Sequence, residues 1–223
     1  MCPIVALLAL LAVATLGFRT DKGKFGWRLI CGGFEQNARI DAIMSPGEPA
    51  RHAHRFHGGS RFHSSMTWED LRASDCTTCE VADDKSSYWV PPLYFRFANG
   101  TYVSLRQIGS STIYYWIHED KVQAFPAGFR MMAGNSSRRT HSDKLTLIEP
   151  DWQTSTWTPE EYTEEVNRER AIGANCLNYH GKAEPTLAYH YFRTKEELKQ
   201  CKDGYRLELS FPSCWDGESR NQS

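Results

Sequence analysis

The feature that most constrains this chain is a short apolar amino-terminal segment that is followed by several cysteines. Residues 4–18 are apolar or small and precede a polar stretch at 19–24. As a helix the apolar run spans only about 22 Å, which is short of the ~30 Å hydrocarbon core of a bilayer. A short apolar run with small residues near its end is typical of a cleaved leader. The sequence therefore predicts a signal peptide over residues 1–18 and a secreted, extracellular protein.

Cleavage would leave an even number of cysteines in an oxidising compartment, where disulfides form. These disulfide candidates are Cys31, Cys76, Cys79, Cys176, Cys201 and Cys214. Six cysteines allow 15 pairings, and the sequence does not choose between them. The Cys76-x-x-Cys79 pair also leaves open a zinc half-site or a redox motif.

Three glycosylation sequons agree with this compartment, and the third, Asn221-Gln-Ser, carries little weight because it lies close to the end of the sequence. Asn99-Gly-Thr and Asn135-Ser-Ser match the acceptor pattern, which lies on exposed loops of secreted proteins. We therefore expect glycans on Asn99 and Asn135.

Charge and composition exclude other classes. The 26 basic and 27 acidic residues leave a net charge of −1, so no basic surface for nucleic acid is expected. The 28 aromatic residues argue against a disordered chain, since disordered chains are poor in aromatics. No later segment is apolar and long enough to span a membrane. We expect a single β-rich domain over residues 26–217, followed by a tail at 218–223.

Short apolar stretches separated by turn residues predict a mainly β fold. The candidate strands are 25–30, 38–44, 87–97, 101–108, 111–118, 128–133 and 205–211. Residues 97–101 are predicted to form a hairpin turn centred on Asn99-Gly100. The proline pair at 91–92 must break its strand or lie at an edge. This pattern favours a β-sandwich or jelly-roll-like domain with disulfides and a few short capped helices.

Alternation and capping patterns add detail. In residues 111–118 the odd-numbered side chains share one face, and in 206–211 the even-numbered, polar ones form a solvent-facing side. Thr67, Thr158 and Thr194 each precede an acidic residue by three positions, which is the capping-box signature of a helix start.

A histidine cluster is the strongest candidate for chemistry. His52, His54, His57 and His63 fall within twelve residues. On a strand, His52 and His54 would project from one face and could hold a zinc or copper ion. The same spacing suits an acid beside a base, and ordinary surface or hydrogen-bonding histidines are a third interpretation. Asp41 could orient one of the rings.

Three further residues are candidates for a supporting role. Lys85 lies between acidic and aromatic residues, where it could bind an acidic sugar or tune the phenol of Tyr88. Arg130 stands among apolar residues and is either an anion clamp or paired in the structure. For Lys85 and Tyr88 the alternative is a solvated turn with a local ion pair. Some aromatic residues of 89–116 could form flat platforms for sugar rings, and core packing is the alternative for them.

A series of motifs, in this order, resembles one family. They are Arg39-Ile-Asp41, Ser45-Pro-Gly47, His52-Ala-His54, Phe62, Leu71-Arg72-Ala-Ser74, Cys76-Thr-Thr-Cys79-Glu-Val81, Asp84-Lys-Ser86-Ser-Tyr-Trp89, Pro91-Pro-Leu-Tyr94, Tyr114-Tyr115, Gln123-Ala-Phe-Pro-Ala-Gly-Phe129, Ala133-Gly134, Ile172-Gly-Ala-Asn-Cys176-Leu-Asn178 and Phe211-Pro-Ser-Cys-Trp-Asp-Gly217. Over about residues 26–217 the chain resembles the secreted fungal family known as domain of unknown function nineteen ninety-six.

The resemblance implies where the protein acts, but it implies no particular activity. Members of this family are sometimes joined to a WSC carbohydrate-binding module, which implies a fungal protein facing cell-wall or plant polysaccharide. The family pattern continues with an Asp-His-x-x-His and a His-Gly-Asp segment. Since residues 218–223 end this chain, the resemblance implies a truncated carboxyl end and cysteines lacking partners.

The leading hypothesis is a carbohydrate-active enzyme working by acid–base chemistry. His52 and His54 are the expected catalytic residues, with Lys85, Tyr88 and Arg130 in support. The alternatives are a non-catalytic module that binds wall polysaccharide through its aromatic residues, and an extracellular protein that binds a metal through His52 and His54. No nucleic acid and, after signal cleavage, no membrane are expected as partners.

Overall fold

The described part of the protein forms many short strands and three short helices. The computed structural model describes residues 17–19, 25–117, 121–139, 163–188, 195–218 and 221–222. The strands are β1 Gly17–Arg19, β2 Phe25–Cys31, β3 Gly33–Ala38, β4 His54–Gly58, β5 Ser87–Val90, β6 Tyr94–Arg96, β7 Tyr102–Ser104, β8 Ser111–Ile117, β9 Arg130–Met131, β10 Ile172–Leu177, β11 Gly204–Leu209 and β12 Asn221–Gln222; the helices are α1 Trp68–Arg72, α2 Glu164–Arg170 and α3 Lys195–Leu198. The chain divides into two compact units, residues 1–128 and 129–223.

Two antiparallel three-stranded sheets build the first unit, with orders β1-β2-β8 and β3-β4-β5. In β8 the odd-numbered residues are less exposed than Tyr114 and Trp116, which confirms the predicted alternation within the described part of that strand. Leu29 and Ile113 of the first sheet pack with Tyr88 of the second. This apolar layer between two sheets is the arrangement of a β-sandwich.

The second sheet is covered on both faces. Its other face carries Phe56, which is fully buried and packs with Ala42 and Met66. These covering residues belong to the segment between β3 and β4 and the segment just before α1. The sheet therefore gives β4 two different environments, one on each side.

Two disulfides are formed among the described residues. Cys31–Cys79 joins the end of β2 to the segment before β5, and Cys176–Cys201 lies in the second unit. Cys76 is also disulfide-bonded, and because Cys79 bonds Cys31, Cys76 and Cys79 do not bond each other. Cys214 is a free, exposed thiol, which corrects its place among the disulfide candidates. The prediction of a mainly β, disulfide-containing fold is confirmed.

The predicted hairpin is present. β6 pairs with β7 in antiparallel register, and the Phe97 amide bonds the Thr101 carbonyl at 2.9 Å. Gly100 adopts a φ of +84°, a left-handed conformation that favours glycine at this turn. The proline pair at 91–92 separates β5 from β6 as expected.

The second unit contains α2 and the antiparallel pair β10–β11, together with the short parallel pair β9–β12. Thr163 caps α2 by accepting the Val166 amide at 3.3 Å. The Thr67 capping box of α1 is confirmed, and α3 starts at Lys195 as predicted. The Thr158 box and the Thr194 cap lie outside the described residues.

Two further sequence expectations are wrong. Residues 39–44 form no strand, because Asp41 turns the chain by accepting the amides of Ile43 and Met44. In β11 the predicted wet face fails at Glu208: its side chain is 12% exposed, against 50% for the side chain of Arg206 on the same face and 44% for Leu207. Glu208 is held inside by the Leu187 amide at 2.5 Å and by Asn175 and Arg206.

The remaining boundaries stay predictions. Two compact units do not test whether residues 26–217 form one domain. Apart from residues 17 and 18, the expected signal peptide lies outside the described residues. Within the described ranges, no helix has the length and apolarity needed to cross a membrane.

Candidate functional site

His54 begins β4 and lies on its Phe56 face. It is only 4% exposed, and its Nδ1 is 2.7 Å from the Ile40 carbonyl oxygen. A carbonyl only accepts hydrogen bonds, so Nδ1 must carry the proton. The neutral ring therefore keeps a lone pair on Nε2, the atom that can accept a proton.

His52 lies beside this ring, as the sequence predicted. It is exposed and precedes β4, and its ring centroid is 4.4 Å from that of His54 with the planes at 65°. Only His54 belongs to the strand, so the contact comes from the chain entering β4 and not from strand alternation. The pair consists of one solvent-facing and one buried imidazole.

Burial lowers the pKa of His54, because a charged imidazole loses its hydration there. The Ile40 hydrogen bond opposes this effect, while the positive charge that His52 can carry adds to it. The net direction is downward, so His54 is neutral at neutral pH.

Asp41 was expected to orient an imidazole, and it acts more indirectly. Its Oδ1 accepts the amides of Ile43 and Met44 at 3.0 and 2.9 Å. The Ile40 carbonyl takes the ring proton of His54 instead. Asp41 contributes a buried negative charge that favours the protonated ring.

Within the described residues, the histidine pair has too few ligands for a zinc site. Zinc sites normally have at least three protein ligands. Across the described part of the chain, the group of three candidate ligand atoms is Cys31, Cys79 and Asp84, and its cysteines form a disulfide. His52 and His54 thus gain no third histidine, cysteine or carboxylate ligand among the described residues.

Tyr88 lies on the opposite face of the second sheet from His54. It pairs with His57 in β4, and its hydroxyl donates to Asp84 Oδ2 at 2.8 Å. The Tyr115 hydroxyl lies 3.0 Å away and therefore donates to Tyr88. Burial, followed by Tyr115 and Asp84, raises the pKa of Tyr88. This phenol stays protonated and does not serve as a base at the histidine pair.

Among the described residues, Lys85 makes no hydrogen bond or ion pair with either histidine of the pair. Lys85 is partly buried and forms no ion pair with a described residue. Arg130 belongs to β9 in the second unit.

Sequence reasoning missed a polar group on the inner face of β4. His57 is fully buried, with Nε2 3.1 Å from Ser111 Oγ and 3.3 Å from Gln107 Oε1. Burial lowers the pKa of His57, and the Gln107 hydrogen bond opposes it. Its neighbour of the same face, Arg55, bonds Asn37. Strand alternation would have placed His57 opposite His54, because three residues separate them.

The expected glycosylation sites lie on exposed turns. Asn99 is the hairpin tip, where its Oδ1 accepts the amide and the hydroxyl of Thr101. The Asn135 side chain accepts the Ser137 amide at 2.9 Å. Both positions suit an acceptor role, which stays a prediction.

The aromatic residues of β8 divide as expected. Tyr115 packs inward on Trp27, with centroids 5.2 Å apart. Tyr114 and Trp116 stay about half exposed, with centroids 6.3 Å apart and planes 15° from parallel.

Fold and site together define a mainly β, disulfide-bonded protein with a histidine pair at the start of a central strand. The family described as "Domain of unknown function (DUF1996)" matches residues 41–223. The chain therefore belongs to the DUF1996 family. No curated protein and no solved structure matches the chain.

Proposed function

We propose that the protein is secreted and carbohydrate-active, and that it acts on cell-wall or plant polysaccharide through His52 and His54. The 4.4 Å contact between an exposed and a buried imidazole carries the proposal. Disulfides and the expected signal peptide support secretion.

The two rings differ in the way that acid–base chemistry requires. His54 is neutral, and its Nε2 lone pair can accept a proton. His52 is exposed and can deliver a proton to a substrate. Histidine is the side chain that changes its charge near neutral pH, so one proton shared by the pair supplies an acid and a base.

The short distance between the His52 and His54 rings favours a scheme in which both rings act from the same side of the sugar. Carboxylates that flank a glycosidic bond stand about 5–9.5 Å apart, whereas these ring centroids are 4.4 Å apart. In our scheme His52 protonates the leaving oxygen. His54 accepts the proton of the attacking water in hydrolysis, or of the sugar carbon in elimination.

The test is a screen of fungal and plant glycans for new reducing or unsaturated ends. His52→Ala is expected to lower turnover by about 10²–10⁴-fold. His54→Asn keeps a donor for the Ile40 carbonyl but removes Nε2, and should lose as much activity while staying folded. Arg51→Ala, at the exposed neighbour, is the control. Absence of turnover on every glycan, or full activity in both histidine variants, would refute the proposal.

The near-parallel pair of Tyr114 and Trp116 supports a second candidate, a module that binds polysaccharide without cleaving it. Exposed flat rings on a sheet can stack on sugar rings. Retention on insoluble glucan, chitin or cellulose without products would favour this function. It should fall in Tyr114→Ala/Trp116→Ala and persist in Tyr179→Ala, a control at a tyrosine that is 74% exposed.

A further inference from the structure

A polar cluster occupies the face of the second sheet opposite His54, and the acid–base proposal does not use it. Its members come from β3, β4, β8 and the segment before β8. We call it the Arg55 cluster; it consists of Asn37, Arg55, His57, Gln107 and Ser111.

Arg55 is a partly buried cation that has no counter-ion among the described residues. Its Nε donates to Asn37 Oδ1 at 3.0 Å, and it forms no ion pair with any described carboxylate. A cation withdrawn from water is costly unless an anion or polar groups compensate it. The two terminal nitrogens of the guanidinium keep their donors for such a group.

His57 positions the side chains of Gln107 and Ser111 through hydrogen bonds from the buried part of the cluster. It is fully buried, and its Nε2 contacts both Gln107 Oε1 and Ser111 Oγ. Gln107 and Ser111 are themselves only partly buried, so they can meet a ligand. His57 is thus a positioning residue.

A β-bulge shapes the edge of the cluster. The register of β3 on β4 shifts between Gly33 and Asn37. Such bulges occur often beside binding sites, because they re-aim side chains. Gly33 is exposed, and a Cβ there would lie 3.1 Å from His57 Nε2 and 3.5 Å from Gln107 Oε1.

We propose that the Arg55 cluster binds the carboxylate of an acidic sugar, a uronic acid residue. The guanidinium fork matches a planar carboxylate with two parallel hydrogen bonds, and Gln107 and Ser111 offer partners for sugar hydroxyls. The single formal charge of Arg55 balances a monoanion but not a dianionic phosphate. The choice of a sugar rests on the proposed function, whereas the carboxylate rests on the cluster alone.

The experiment measures binding of D-glucuronate, D-galacturonate and D-glucose to the full chain by calorimetry. Both uronates should bind, and glucose should not. Arg55→Met should weaken uronate binding roughly 10- to 100-fold, as expected for loss of a hydrogen bond to a charged group. Arg55→Lys should recover only part of it, since lysine lacks the planar fork. Arg106→Met, at an exposed arginine next to Gln107, is the control for net charge.

A second readout tests the role of His57. A bound carboxylate stabilises a nearby imidazolium, so saturating glucuronate should move the NMR titration of His57 to higher pH. The same addition should leave the Arg55→Met titration unchanged. If that variant does not fold, Gln107→Ala in the loop before β8 should weaken binding several-fold.

Several results would overturn the inference. They are glucose binding as tightly as glucuronate, unchanged affinity in both Arg55→Met and Gln107→Ala, and inorganic sulfate competing equally, which would remove the preference for a carboxylate. His54→Asn should bind glucuronate like the native chain. A failed glycan screen would therefore leave this inference standing, and lost uronate binding would leave the histidine pair standing.

Discussion

The two faces of β4 treat the same residue type differently. His54 meets a backbone carbonyl and an exposed second histidine, whereas His57 meets Gln107 and Ser111 from other elements. Burial lowers the pKa of both rings. Burial therefore does not separate a candidate catalytic ring from a positioning one. The neighbours decide, since only His54 shares its surroundings with an imidazole open to solvent.

Gly58→Ala should disrupt both faces at once and has the largest expected effect. Gly58 ends β4 with a φ of +96°, and an added Cβ would lie 1.9 Å from the Ser86 carbonyl oxygen. We expect a loss of about 4 kcal/mol or more in the free energy of unfolding, measured by urea titration. Gly100→Ala is the matched control, because its φ is +84° but nothing lies within 4 Å. At Gly100 we expect a loss of about 1 kcal/mol. Equal losses at Gly58 and Gly100 would contradict the steric argument.

Removing the Cys31–Cys79 disulfide, which joins the end of β2 to the segment before β5, tests the inner face alone. Cys31→Ala/Cys79→Ala opens a link across 48 residues and should cost about 2–4 kcal/mol. The chemical denaturation midpoint should drop accordingly. Cys214→Ala, at the free exposed thiol, should leave it unchanged; an equal drop in both variants would show that the link does not stabilise the sandwich.

The hydrogen bond between the Tyr88 and Tyr115 hydroxyls links the two sheets on the same face, and its removal should have a smaller effect on stability. Tyr88→Phe leaves the Tyr115 hydroxyl without its acceptor and Asp84 Oδ2 without its hydroxyl donor, so we expect about 2 kcal/mol of destabilisation. Tyr115→Phe should cost only about 1 kcal/mol, because Tyr88 keeps Asp84. A double-mutant cycle measures the coupling. Additive losses would mean that the two hydroxyls act independently.

Acid should weaken both faces modestly. The folded-state pKa values of His54 and His57 are lowered, so below about pH 6.5 the unfolded chain binds protons that the folded chain refuses. Stability is then complete above that pH and falls as the pH drops toward the folded values. We expect the free energy of unfolding to fall between pH 7.5 and 5, with both rings contributing in the same direction.

Unfolding midpoints at the two pH values measure this slope. His57→Leu should flatten it, and His54→Leu should do so as well. His180→Gln, on an exposed turn, controls for removal of an imidazole. A slope unchanged in both leucine variants would assign the acid sensitivity to other groups.

Local sequence patterns predicted the parts of the fold that depend on neighbours in the chain. The hairpin at Asn99-Gly100, the alternation in β8 and the Thr67 capping box follow from turn chemistry, strand geometry and side-chain capping. The errors arose where a side chain found a distant partner. Glu208 is inside because Leu187 and Asn175 donate hydrogen bonds to its oxygens. No sequence pattern within β11 predicts these two partners.

The candidate site divides in the same way. The sequence placed His52 beside His54, because one residue separates them. It did not place Tyr88 opposite, and it left out Arg55, Gln107 and Ser111. Those positions depend on which strands pair and which sheet covers which face.

The sequence by itself determined the mainly β class, the disulfide chemistry and the nearness of the two histidines, since each follows from composition or from short spacings. Tertiary structure alone decided which cysteines bond, which histidine is buried and what each face of β4 meets. These outcomes depend on contacts between segments many residues apart, whose free energies are set by the packing of whole sheets and not by any local run of residues.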